Sequence, residues 1–114
     1  MAWLKLDWDN INEQTMARRV MVIFKNLRMM PIVYKTKHGY HVYVWVSLTD
    51  TLKDEPKLFQ LRRKYWDDPL RIRLDLERIK RGQPHDVLFH DKSGRPRELL
   101  EPNRLLNIID ESVD

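Results

Sequence analysis

Cysteine is absent from the 114 residues, which excludes a disulfide framework and any Cys-ligated zinc site and suits a reducing cell interior. No apolar run approaches the roughly 18 residues of a membrane-spanning helix, and Met1 to Asp9 lacks the layout of a signal peptide. The expectation is a soluble, cytoplasmic protein with no membrane partner. Glycine is scarce, at three residues, and no repeat, low-complexity tract or linker interrupts the chain. Neither sign of charge dominates: 21 Lys and Arg face 17 Asp and Glu, for a formal net charge of +4. Such an excess is compatible with a polyanionic partner without requiring one.

What is present fits one globular domain spanning residues 1–114. Hydrophobic residues make up 42% and charged residues 33%, enough for a modest core beneath a heavily charged surface. Lys and Arg crowd positions 62–64, 71–73, 78–81 and 92–97, with acids interspersed, which reads first as a solvated face.

The chain opens on a near-strict alternation: Trp3, Leu4, Leu6 and Trp8 against Lys5, Asp7 and Asp9. This predicts a half-buried strand. Asn10 and Asn12 are capping types, and Ala17, Val20, Met21, Phe24 and Leu27 then recur at helical spacing, with Pro31 as a stop. Residues 32–36 and 40–46 form a hairpin about Lys37-His38-Gly39. On its return strand Val42, Val44 and Val46 should pack on the helix, leaving His41, Tyr43 and Trp45 on the other face. Helix starts are read at Asp54-Glu55-Pro56 and Asp68-Pro69.

Residues 70–79 alternate like a strand at Leu70, Ile72, Leu74 and Leu76. They also carry helical spacing at Ile72, Leu76 and Ile79; the Asp-Pro start and the length favour helix. Residues 82–84 break the segment, residues 87–90 read as a last short strand, and residues 99–109 as a final element. The class is therefore α+β: a βαββαβ order of the RNA-recognition (RRM) or ferredoxin-like kind, an antiparallel sheet with helices on one face.

Three groups of residues could carry chemistry. Asp7 and Asp9, one residue apart on a strand, point the same way roughly 7 Å apart and offer hard oxygen ligands for Mg²⁺ or Mn²⁺. The bland reading is a solvated face and a turn. Lys35, Thr36, His38, Gly39 and His41 supply donors and positive charge around a turn where backbone could approach a phosphate; the bland reading is a polar hairpin tip. Asp67, Asp68 and Asp75 offer a third acid, although Asp68 also fits a helix cap and Asp75 an ion pair with Arg71 and Arg78.

Together these pieces resemble the archaeo-eukaryotic primase superfamily, which includes small primase subunits and primase–polymerase domains. Leu6-Asp7-Trp8-Asp9 matches its Asp-x-Asp strand, Lys35 to Tyr43 its basic–Gly–x–His segment, and Trp66-Asp67 or Asp67-Asp68 its hydrophobic–Asp signature. Arg78 to Arg81, followed by residues 88–95, is similar to a downstream basic stretch of small primase subunits. The resemblance implies a minimal palm in which Asp7, Asp9 and Asp68 (or Asp67) bind two divalent metal ions. Lys35, Thr36 and His41 would then contact nucleotide phosphates, with Arg78, His90 and Lys92 completing the site. It implies a nucleoside triphosphate and a DNA or RNA template as partners, with a larger replication subunit alongside. Family catalytic cores are larger and carry a zinc-binding insertion that this chain lacks, so reduced activity is also consistent.

Three other readings compete. A non-catalytic RRM-like nucleic-acid-binding domain would stack bases on Tyr43, Trp45 or Trp8. A replication-initiator endonuclease would use Tyr65 as nucleophile, although His41-Val42-Tyr43 lacks the second histidine of that class. A structural or partner-binding role is the last.

Overall fold

The computed structural model describes residues 2–47, 51–83 and 97–112. Alternation builds the first strand, β1 (Ala2–Asp9), which buries Leu4, Leu6 and Trp8 on one side. Trp3, Lys5, Asp7 and Asp9 turn to the other. Asn12 then caps helix α1 (Glu13–Leu27), its side chain accepting a hydrogen bond from the Thr15 amide at 2.8 Å.

The apolar positions of α1 offer two overlapping stripes. The core takes Met16, Ala17, Val20 and Ile23, with Met21 and Leu27 partly buried, and Phe24 is left outside at 39% exposure. The expected face was thus rotated slightly from the true one, because Ile23 and not Phe24 completes the stripe centred on Val20.

The hairpin forms as expected, with β2 (Ile32–Lys35) and β3 (Gly39–Val46) antiparallel and Val33 opposite Val42. β3 lies between β2 and β1, pairing Leu6 with Val42 and Asp7 with His41. Gly39 is required by packing: a Cβ there would collide with the Trp8 carbonyl. It lets two strands approach closely.

Helix α2 (Thr51–Lys64) and helix α3 (Pro69–Lys80) follow. Asp68 caps α3 by accepting from the Leu70 amide at 3.0 Å, with Pro69 in the first turn. Burial decides the ambiguous segment for helix: Ile72 and Asp75 are buried, while Leu70 and Leu74, which a strand would have put beside Ile72, are exposed. A two-residue strand, β4 (Glu98–Leu99), pairs with β2, and helix α4 (Pro102–Ser112) packs on α1.

Leu4, Leu6, Trp8, Val33, Tyr40, Val42, Val44 and Val46 from the sheet meet α1 and Leu105, Ile108 and Ile109 of α4 in one core. Full burial of such side chains stabilises by roughly 1.5–3 kcal/mol each, so this face dominates the stability.

The molecule is α+β with a four-stranded antiparallel sheet in the order β1-β3-β2-β4. β1 and β2 run parallel with β3 between them, as a split βαβ unit requires. The second half departs from the expected order. The strand read at residues 87–90 lies outside the described residues, and β4 joins the β2 edge. The outer edge of β1 is covered instead by the corner between α2 and α3. There the Asp7 amide donates to Asp67 Oδ1 at 2.8 Å, the Asp68 amide donates to the Asp7 carbonyl, and Arg71 donates to the Lys5 carbonyl.

Candidate metal centre

The same corner that protects the β1 edge delivers an acid to its open face. α2 ends with Trp66 in the left-handed region (φ 66), and the Asp67 amide donates back to the Arg62 carbonyl, a Schellman arrangement in which glycine is usual. A bulky residue there costs about 1–3 kcal/mol. Trp66 is held by an edge contact with Trp8 and by Arg19, whose guanidinium lies 5.1 Å from its ring centre. The Trp8 indole also donates to the Tyr65 carbonyl. The reversal aims Asp67 inward and sets Asp68 beside β1.

Asp67 joins a buried ladder. Its Oδ2 accepts from Arg62 Nε at 2.6 Å and from Arg71 Nη1 at 2.7 Å. Arg62 continues to Asp75, which also accepts from Arg78. These acids have their charge matched.

Asp7, Asp9 and Asp68 form the other group. Each offers one carboxylate oxygen within 4.8 Å of the others. His41 Nε2 lies 3.7 Å from Asp7 Oδ1. Among the described residues no Lys or Arg forms an ion pair with any of the three acids. Asp7 Oδ1 is buried and accepts no hydrogen bond. Burial first, then the neighbouring Asp9 carboxylate, pushes the Asp7 carboxyl from 3.8 up to about 7, against the opposing pull of Arg71. Capping uses one oxygen of Asp68, leaving its second for another partner. A buried carboxylate oxygen without a hydrogen bond, among further carboxylates, suits a hard divalent cation once Asp7 is deprotonated.

Sequence reasoning left the third acid open among Asp67, Asp68 and Asp75. Asp68 is the one beside Asp7 and Asp9; Asp67 and Asp75 are enclosed by arginines. His41, buried on the sheet face opposite the core, also reaches the group. The other expected residues have different neighbours where they are described. Lys35 pairs with Tyr40, whose side chain enters the core, so the pleat puts Lys35 on the sheet face away from Asp7. The Thr36 hydroxyl accepts from the Gly39 amide and closes the hairpin. Arg78 serves Asp75. His90 and Lys92 lie outside the described residues.

Two aromatic expectations change as well. Trp8 belongs to the core and not to the open face, and Tyr65, 1% exposed, is no accessible nucleophile. The Arg62–Asp67–Arg71 ladder went unread, although Asp67 and Arg71 stand at helical i,i+4 spacing.

No helix among the described residues is long and apolar enough to cross a membrane. Comparison with protein-family models, with curated proteins and with solved structures finds no match, so likeness assigns this chain neither family nor activity.

Proposed function

We propose that the chain is a minimal, palm-like nucleotidyl-transfer domain of the primase–polymerase kind, with Asp7, Asp9 and Asp68 holding two divalent ions, Mg²⁺ or Mn²⁺. The observation that carries this reading is the meeting of three carboxylates within 4.8 Å, one of them from a helix cap some sixty residues along the chain, with a buried oxygen of Asp7 left without a hydrogen bond. The split unit of β1, α1, β2 and β3 is compatible with a ferredoxin-like palm.

Bound divalent cations would neutralise charge on the attacking 3′-hydroxyl oxygen and on the leaving pyrophosphate in an in-line displacement at the α-phosphate of a nucleoside triphosphate. Asp7 must be deprotonated to take part, and Asp9 and Asp68 share the load. On this reading His41, next to Asp7, would donate to a phosphate oxygen. Asp67 and Arg71 position the site by clamping β1 to the corner that carries Asp68. Substrates of this reading are a nucleoside triphosphate and a DNA or RNA template, with a larger replication subunit as an associated partner.

Incorporation of labelled nucleotides on primed and unprimed templates, with Mg²⁺ or Mn²⁺, tests it. Wild type is expected to extend or prime and Asp7→Asn to do neither. No incorporation by wild type under any of these conditions contradicts the proposal.

A further inference from the structure

On the sheet face opposite the core, beyond the acids, lies a surface that the transfer chemistry does not use. Trp3, Lys5, Ile32, Tyr34, Tyr43 and Arg97 line a shallow cleft of about 250 Å³. Its rings are fixed against one another. Trp3 and Trp45 centres are 4.7 Å apart, Tyr34 and Tyr43 meet edge to face at 5.7 Å, and Trp3 and Tyr43 do so at 6.4 Å. The Arg97 guanidinium sits 4.0 Å from the Tyr34 ring centre and donates to the Tyr43 hydroxyl at 2.6 Å. Trp3 and Ile32 remain 40% and 41% exposed, so the side of this cluster facing solvent is apolar.

Three features narrow the ligand. Pre-ordered aromatic faces with Lys and Arg at the edge favour a partner carrying flat rings on an anionic backbone. The volume is below the roughly 300–1,000 Å³ of sites that enclose a whole small molecule, and suits one ring system of a longer ligand. Trp3, Lys5 and Asp7 stand at alternate positions of β1, so the cleft lies on the same face as the acids, about 13 Å from Asp7 along the strand. A polymer can occupy both.

We propose that this face binds single-stranded nucleic acid, with a base stacked on Trp3 against the Tyr34–Tyr43 pair and the backbone beside Lys5 and Arg97. A duplex hides its ring faces and is excluded. The proposal goes beyond the transfer reading and stands without it, because stacking needs no metal.

The test is fluorescence anisotropy with a labelled oligothymidylate about a dozen nucleotides long, in EDTA at low salt. Wild type is expected to bind it and to bind the matching duplex more weakly. Trp3→Ala should weaken single-strand binding roughly tenfold, while Trp3→Phe, which keeps a ring, stays within about threefold of wild type. Lys5→Ala should lower the salt slope by about one. Circular dichroism melts show whether each variant is folded, and Trp3→Phe keeps the test valid should Trp3→Ala unfold.

Equal binding by wild type and folded Trp3→Ala, duplex binding as tight as single-strand binding, or no binding at all overturns the proposal. Asp7→Asn in EDTA should bind the oligonucleotide at least as well as wild type. Wild type that binds the oligonucleotide but takes up no Mn²⁺ therefore sinks the transfer reading alone, and wild type that takes up Mn²⁺ but binds no oligonucleotide sinks this one alone.

Discussion

Two groups of aspartates sit side by side at the end of β1, and the protein treats them differently. Asp67 and Asp75 are buried and matched by Arg62, Arg71 and Arg78. Asp7, Asp9 and Asp68 face one another, with His41 beside Asp7 and no Lys or Arg ion-paired to the three among the described residues. Two carboxylates 4.8 Å apart repel by up to about 3 kcal/mol at an effective dielectric near 20, and by less where Asp9 meets solvent. The contrast shows a division of labour. The matched group is scaffold, and it holds the unmatched group in a geometry that the acids alone would leave.

Breaking the unmatched group should have the largest effect. Asp7→Asn/Asp9→Asn is expected to remove nucleotide incorporation to below detection, while its melting temperature in EDTA rises above that of wild type because repulsion is relieved. A fall in both would mean that these acids are structural.

Breaking the matched group should do the reverse. Asp75→Ala removes the buried carboxylate that Arg62 and Arg78 share, and urea unfolding should show a loss of about 3–5 kcal/mol. A loss under about 1 kcal/mol would place that ladder among surface-like ion pairs.

The pH response sharpens the comparison further. Because the folded carboxyl of Asp7 titrates near 7 and the unfolded one near 3.8, the native state holds a proton that the unfolded chain releases. Stability in EDTA should therefore be greatest below about 4, fall as pH rises through this window, and level off above 7. Asp7→Asn should flatten that segment of the curve, as followed by thermal melts across pH. Saturating Mn²⁺ should reverse the trend, since the metal binds the deprotonated form.

Much of this arrangement is legible locally. Alternation puts Asp7 and Asp9 on one side of β1, and the Asp68-Pro69 step marks a helix start by cap chemistry alone. The rest depends on packing. Asp67 and Asp68 are neighbours, and which carboxylate joins Asp7 and Asp9 is decided by the left-handed Trp66, a position the sequence does not advertise because glycine usually fills it. Arg62 and Arg71 read as a solvated charge run, since burial of a guanidinium needs a partner from a distant segment. Lys35 was misplaced for a plainer reason: the hairpin register, not its closeness to His41 in sequence, sets its face.

The smallest structural change provides the cleanest probe. Serine caps a helix as well as aspartate does, so Asp68→Ser should keep stability within about 0.5 kcal/mol while deleting the third carboxylate. Calorimetric titration with Mn²⁺ at pH above 7 measures the rest directly. The account predicts saturable binding to wild type, weakened at least tenfold in Asp68→Ser and absent in Asp7→Asn. Wild type that takes up no Mn²⁺, or a folded Asp68→Ser that binds it unchanged, would contradict the claim that these three acids form a metal centre.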